Sequence, residues 1–184
     1  MGTAGTKRLN RTNWLEPDQH GRPAPVDAEA WRDAFLAIRL DPRVPAEIAA
    51  MFEAARGCMI YGSFFAPLVT LGVEHCYRLL EVAVRTRCTQ LGLPVAFRDR
   101  QGKDRLLSFQ HNLRQLIGRE VVSEADATLW RQAGELRDWA ALPEHHAAVG
   151  PDHAITALTR AAGLLGRLFA PTHNGTLFDR KPHP

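Results

Sequence analysis

FFAPLVTLGVEHCYRLLEVAVRTRCTQL, residues 64–91, predicts one long central helix. Four apolar side chains and one histidine recur at helical spacing in a first stripe that consists of Leu68, Leu71, His75, Leu79 and Val82. A second stripe beside it widens the apolar face and consists of Val69, Val73, Cys76, Leu80 and Val84. An apolar face of this width is typical of a helix that packs against several neighbours. The remaining face has two acid-to-base pairs four residues apart, Glu74 with Arg78 and Glu81 with Arg85.

Two shorter helices are predicted before the central one. Asp27 suits the N-cap of a helix that extends to Leu40, because its carboxylate can accept a hydrogen bond from a free backbone N–H. Pro45 suits the first turn of the next helix, where its missing N–H costs nothing. Gly57 and Gly62 are expected to loosen the end of that helix.

Three more helices are predicted after the central one. The first covers about residues 106–117, the second begins at Ser123 with Asp126 as a capping partner, and the third begins at Pro151. Residues 93–104 have the composition of a charged loop with a turn, and no strand is predicted. The sequence therefore predicts an all-α fold, an up-and-down helical bundle with additional N-terminal helices.

The chain length fits one domain. Of 184 residues, 27–170 are expected to form that domain, 1–26 an extended N-terminal arm and 171–184 a C-terminal tail. The three cysteines form no CxxC pair, which gives no zinc signature and favours a reducing compartment. No signal peptide or membrane span is recognisable and no cofactor or metal motif occurs, so we expect a cytoplasmic protein without cofactor or metal.

Charge is distributed unevenly along the chain, although the net charge is only +3. Residues 85–119 contain eight basic and two acidic side chains, a balance of +6, and residues 120–152 contain two basic and seven acidic side chains, a balance of −5. This polarity suits an anion-binding face or the pairing of subunits, and it also suits a merely solvated surface. If the protein binds nucleic acid, the basic loop predicts the contacts: Arg98, Arg100, Lys103 and Arg105.

The segment LRDWAALPEH, residues 136–145, contains the most informative short motif. Arg137 is flanked by apolar core positions, so its guanidinium is expected at the edge of the buried seam, where it needs an anionic or carbonyl partner. That partner could be a carboxylate, with Glu74 or Glu81 as candidates, or a bound phosphate.

This segment resembles the signature of the HEPN superfamily, in which an arginine and a polar residue precede a histidine that often lies before proline. The wider run from residue 54 to residue 169 also resembles uncharacterised bacterial HEPN-like proteins. The resemblance implies a helical bundle that dimerises and cleaves RNA without metal, with the histidine as general base and the arginine on the phosphate. Arg137 matches the arginine and Asp138 the polar position, but Leu142 takes the place of the histidine. His145 follows Arg137 by eight positions, which is just beyond the spacing between arginine and histidine that is usual in the signature.

The resemblance therefore favours a non-catalytic HEPN-like module that binds RNA, another anionic ligand or a partner protein, in a defence or stress system. It also implies a homodimer, which agrees with the opposite local charge balances. The alternative is a weak metal-independent endoribonuclease that uses Arg137 and His145. A third alternative, a purely structural helical subunit, needs no site.

Restoring the motif histidine tests the resemblance directly. The unmodified protein should cleave RNA barely or not at all, because leucine cannot transfer a proton and general acid–base catalysis contributes about 10²–10⁴-fold. Leu142→His should produce weak, chelator-resistant cleavage of total RNA, and adding Arg137→Ala should abolish it. Strong cleavage by the unmodified protein that is lost in His145→Ala would instead support the endoribonuclease.

Overall fold

The computed structural model describes residues 28–65, 67–140 and 149–171, which form six α-helices and one two-stranded hairpin. The elements in chain order are α1 Ala28–Leu36, α2 Ala46–Tyr61, α3 Pro67–Gln90, β1 Ala96–Arg98, β2 Asp104–Leu106, α4 Phe109–Gly118, α5 Glu124–Ala140 and α6 Pro151–Leu168. This confirms the predicted all-α helical bundle. The predicted arm and all of the predicted tail except Pro171 lie outside the described residues.

Helix α3 forms the centre of the bundle and packs against α2, α4, α5 and α6. The second apolar stripe, together with Leu79, Ala83 and Cys88, is buried in the common core. Apart from Leu79, the first stripe lies at the edge of this core: Leu71 is 51% exposed, and Leu68, His75 and Val82 are half-buried. The prediction of a helix with several neighbours is confirmed, but the buried face is rotated toward the second stripe.

Two contacts define the directions of α3, α5 and α6. At the end of α3, the guanidinium of Arg87 lies 5.9 Å from the ring centre of Phe169, directly after α6. Arg167 near the end of α6 pairs with Asp126 near the start of α5, with Nε and Oδ1 2.9 Å apart. Helices α3 and α6 therefore end together, at what we call the hairpin end of the bundle, and α5 runs in the opposite direction.

The other end of the bundle holds the starts of α3 and α6, and we call it the opposite end. Here the backbone N–H of Val149, two residues before α6, donates to Thr70 Oγ1 in the first turn of α3 at 3.3 Å. Trp31 of α1 lies at the same end, where its indole N–H donates to the carbonyl oxygens of Met59 and Ile60 at 3.1 and 3.0 Å. Since α3 has 24 residues, the two ends are separated by about 36 Å.

Several predicted boundaries are wrong for local reasons. Helix α1 ends at Leu36 rather than Leu40, and the chain beyond it is held by a bond from Arg56 Nη1 to the carbonyl of Ile38 at 3.2 Å. Helix α2 continues through Gly57 to Tyr61, and Pro45 is its N-cap rather than part of its first turn. Two strands that the sequence did not predict, β1 and β2, occupy part of the charged loop and the residues after it, so α4 begins at Phe109 rather than near residue 106.

Gly92 ends α3, and the predicted capping pair of Ser123 and Asp126 is confirmed. Gly92 adopts φ +66°, and the bonds from the N–H of Leu93 to the carbonyl of Cys88 and from Gly92 to Thr89 close the end of α3. Ser123 Oγ accepts from the Asp126 backbone N–H at 3.1 Å and lies 3.1 Å from the Asp126 carboxylate, which forms the expected capping pair of α5. None of the helices in the described ranges is long and apolar enough to cross a bilayer.

Helices α2 and α3 approach most closely at Gly72. A methyl group there would lie 2.6 Å from Met59 Cγ and 2.9 Å from the carbonyl oxygen of Ala55. Because the second contact is with backbone, the helices would have to move apart. The observed packing of α2 against α3 therefore requires glycine at position 72, because its side chain is only a hydrogen atom.

Gly72→Ala should therefore lower the free energy of unfolding by about 1–3 kcal/mol, the usual cost of overpacking a filled core. Gly57→Ala is the matched control, because no atom lies within 4 Å of the added methyl group and alanine favours the helical backbone. This control should raise the free energy of unfolding by about 0.5–1 kcal/mol. Urea denaturation of both variants measures the difference, and equal stabilities would show that α2 and α3 are not in close contact at Gly72.

Candidate nucleic-acid interface

The hairpin is attached to the bundle through α4. Directly before β1 and after β2, the Leu107 N–H donates to the Val95 carbonyl at 2.9 Å. Gln115 Nε2 on α4 donates to the Pro94 carbonyl at 2.9 Å. Asn112, a buried polar side chain of the same helix, contacts the Leu107 carbonyl at 3.4 Å through Nδ2. The residues directly before β1 and directly after β2 are therefore fixed by hydrogen bonds to α4 and to each other.

The strands pair in antiparallel register, with Ala96 opposite Leu106, Phe97 opposite Arg105, and Arg98 opposite Asp104. Every residue of both strands is exposed. Because side chains alternate between faces along a strand, the hairpin has two distinct faces. One carries Phe97 and Arg105, and the other carries Arg98, Asp104 and Leu106.

Asp99 organises the turn of the hairpin. Its Oδ1 accepts from the backbone N–H groups of Gln101 and Lys103, both at 2.9 Å, and its Oδ2 accepts from Arg105 Nε at 3.0 Å. Gly102 adopts φ +75°, the left-handed conformation that a three-residue loop with a glycine bulge requires. The backbone bond from Lys103, followed by the bond from Arg105, lowers the pKa of the Asp99 carboxyl group.

The structure brings together the four basic residues predicted from the charged loop. Arg98 and Arg105 lie on the strands, and Arg100 and Lys103 lie at the turn; all four are exposed. Arg98 faces Asp104 at 3.7 Å, and Arg105 pairs with Asp99. Among the described residues, Arg100 and Lys103 have no carboxylate partner. The turn therefore presents two unneutralised cations next to two solvent-exposed ion pairs.

Two apolar side chains on the hairpin were missed by the sequence analysis. Phe97 is 51% exposed and Leu106 is 62% exposed. The signal that could have found them is the DRQGK turn, residues 99–103, because a glycine-containing turn between short runs with Phe and Leu is typical of a hairpin. Their faces could then have been assigned from the alternation of side chains.

Arg137 is far from these residues. It lies in the last turn of α5, which runs from Asp126 at the hairpin end toward the opposite end, and only its position in the helix is described. Leu142 and His145 lie outside the described residues. The structure therefore groups Arg98, Arg100, Lys103 and Arg105 in one surface and places Arg137 elsewhere. Glu81 is one of the two carboxylates considered above as a partner of Arg137. In the structure its Oε1 lies 3.1 Å from Nη2 of Arg85, also on α3.

A small cavity lies one turn before Arg137, between α3, α5 and α6. Its volume is about 40 Å³, and Tyr77, Ala133, His153 and Arg160 contribute to its lining. Burial raises the pKa of the Tyr77 hydroxyl. Ligand pockets for drug-sized molecules usually have about 300–1,000 Å³, so this cavity is too small for a nucleotide.

A wider open groove of about 840 Å³ lies between residues 37–43 and the second half of α6. Three arginines contribute to it, but two of them already have carboxylate partners: Arg43 pairs with Asp41 at 2.6 Å, and Arg167 pairs with Asp126. This groove has a lower unneutralised charge than the hairpin turn. It is therefore the weaker candidate for an anionic polymer.

The described ranges show no metal site, and the two buried cysteines are not suited to thiol chemistry. No three His, Cys, Asp or Glu side chains lie together there as metal ligands. Cys76 and Cys88 are buried in the core, and burial raises their thiol pKa values to about 12 and about 11. Thiols with such pKa values remain protonated near neutral pH and are poor nucleophiles.

No protein-family model matches this chain, and it matches no curated protein and no solved structure. The resemblance of residues 136–145 to the HEPN signature therefore stays a prediction. Any function has to be supported by the geometry of the protein's own residues.

The low pKa of Asp99 predicts how the turn responds to acid. Because the pKa is lower in the folded than in the unfolded chain, the carboxylate stabilises the turn fully above the unfolded-state pKa. This stabilisation is lost as the pH falls through the folded-state value. In an NMR titration, the Lys103 amide signal should shift with a midpoint below about 3.9, the ordinary value for aspartate. Asp99→Asn should remove the transition, and a midpoint at or above the ordinary value would contradict the described hydrogen bonds.

Proposed function

We propose that the protein is a non-catalytic nucleic-acid-binding module that binds RNA through its basic hairpin. The observation that carries the proposal is the grouping of four exposed basic side chains on one hairpin, two of which have no carboxylate partner among the described residues. RNA is an anionic polymer, and neutralisation of its phosphates by Lys and Arg supplies most of the non-specific affinity of such proteins.

The ion pairs on the hairpin are compatible with phosphate binding. Arg98 and Arg105 keep 75% and 60% of their side-chain surface exposed while they pair with Asp104 and Asp99. Exposed pairs of this kind contribute only about 0–1 kcal/mol to stability. A phosphate can therefore replace the carboxylate as the partner of one of these guanidinium groups at little cost in free energy. The planar guanidinium then binds the phosphate through two parallel hydrogen bonds.

The absence of catalysis in this proposal rests on the resemblance of residues 136–145 to the HEPN signature. The resemblance implies a histidine where the chain has Leu142, so the base for the ribose 2′-hydroxyl is missing. The alternative, a weak endoribonuclease, would use Arg137 and His145. Arg137 lies on the part of α5 that is remote from the hairpin, so this alternative would leave the basic surface without a role in the same chain.

The biological setting of the proposal comes from the resemblance alone. A HEPN-like protein would be a homodimer in a defence or stress system. The opposite charge balances of residues 85–119 and 120–152 favour contact between two copies. A second copy would double the number of basic hairpins available to one RNA molecule.

Neutralising the turn tests whether it binds phosphate. In Arg100→Gln with Lys103→Gln, the slope of log K against log salt should become less steep by about 1.4, because each lost contact with a single strand removes about 0.7. Affinity for RNA should fall for all base sequences. Fluorescence anisotropy with labelled RNA over a series of salt concentrations measures both quantities.

The matched control changes the net charge by the same two units away from the hairpin. Arg32→Gln with Arg78→Gln is suitable, since both side chains are exposed, one on α1 and the other in the middle of α3. If the control changes the slope as much as the turn variant does, binding depends on net charge rather than on the hairpin. If neither variant changes it, the hairpin is only a solvated surface.

A further inference from the structure

Phe97 is an exposed aromatic side chain inside the basic surface. It lies on β1 directly opposite Arg105, on the hairpin face that also holds Asp99. Half of its surface is accessible, and within the described ranges its ring makes no aromatic or cation–π contact. An aromatic ring that is half exposed beside the basic residues of the turn offers a ligand apolar surface next to positive charge.

The neighbours of Phe97 leave its ring accessible. Arg105 directs its guanidinium toward the turn, where Nε donates to Asp99 Oδ2 at 3.0 Å. The ring is carried by a paired strand and has only two rotatable side-chain bonds, so little conformational entropy is lost when a ligand covers it. Phe97 therefore has the properties of a fixed platform for a flat, apolar partner.

The spacing along the hairpin suits a nucleotide chain. Arg100 lies three residues after Phe97, a distance of about 10 Å along an extended strand. A base stacked on the ring would therefore have the phosphates of its neighbours within reach of the long cationic side chains at the turn. Stacking on an aromatic ring is tolerant of base identity, because every base has a π-face.

We propose that Phe97 stacks on an unpaired base, so that the hairpin binds single-stranded RNA in preference to double-stranded RNA. This inference rests on the proposed function, because the cations at the turn supply the phosphate contacts. In a duplex the faces of the bases are covered by their neighbours, and only phosphates and groove edges are accessible. A single strand offers a phosphate and a free base face at the same time.

The other face of the hairpin provides a matched control. Leu106 is also exposed and apolar, but it lies opposite Ala96, on the face away from Phe97. It has no π-face, and it is beside the Arg98–Asp104 pair. Shortening this side chain removes apolar surface from the same hairpin without affecting stacking on Phe97.

The experiment compares a short oligouridylate with an RNA duplex of equal length, by fluorescence anisotropy on the full chain. The unmodified protein should bind the single strand more tightly. Phe97→Leu should weaken single-strand binding by about 5- to 150-fold, the loss expected for one stacked base, and should leave duplex binding unchanged. Phe97→Tyr keeps the ring and should bind both RNAs as the unmodified protein does. Leu106→Ala should also leave both affinities unchanged.

The outcomes separate this inference from the function on which it rests. Equal affinity of the unmodified protein for both RNAs, or an equal loss for both in Phe97→Leu, would overturn stacking while leaving phosphate binding by the turn intact. Salt-dependent binding that survives in Phe97→Leu with an unchanged slope would confirm that the two contributions are independent. If neither RNA binds at low salt, the proposed function fails, and the stacking role fails with it.

Discussion

The contact between α2 and α3 at Gly72 fixes the course of the chain on both sides of the central helix. Since a side chain larger than hydrogen would meet the Ala55 carbonyl, α2 lies close against one face of α3, and that face is the second apolar stripe. Helices α4, α5 and α6 cover the remaining buried positions of α3. The packing of the whole bundle therefore depends on one helix that is shared by four neighbours.

This arrangement gives the bundle two chemically different ends. Helix α3 ends at Gly92, and the chain then forms the basic hairpin, which α4 holds through Gln115 and the buried Asn112. The last turn of α5, which contains Arg137, and Val149, two residues before α6, belong to the part of the bundle where α3 begins, as the contact from Val149 to Thr70 indicates. A single copy of the chain therefore cannot use the hairpin and Arg137 as one continuous contact surface unless its ligand spans most of the length of α3.

The sequence was most informative where a signal is repeated or local. The central helix was predicted because its apolar period continues over many turns, and the cap at Ser123 was predicted because its partner Asp126 is three residues away. The exposure of Leu71 could not be predicted in this way, because it depends on the side from which α2 approaches. The strands were missed because each has only three residues and both faces are exposed, so no buried alternation marks them.

The candidate site was predicted in part because the charge density of the loop is also a local signal. Charge density along the chain identified Arg98, Arg100, Lys103 and Arg105, which remain together because a tight turn at Gly102 joins them. Their pairing with Asp99 and Asp104, and the position of Phe97 among them, depend on strand register, which composition does not reveal. The distance between Arg137 and the hairpin depends on the direction of α5, which only the tertiary contacts define.

The central claim is that the hairpin, and not the end of α5, is the surface that binds RNA. Its most direct test is an NMR titration of the isotope-labelled protein with single-stranded RNA, in which the backbone amide signals report the contact surface residue by residue. We expect the signals that shift to belong to residues 96–106 and the adjoining part of α4, with little change in residues 133–140 and 149–153. Shifts confined to those two segments, with an unchanged hairpin, would contradict the claim and would favour a site at Arg137.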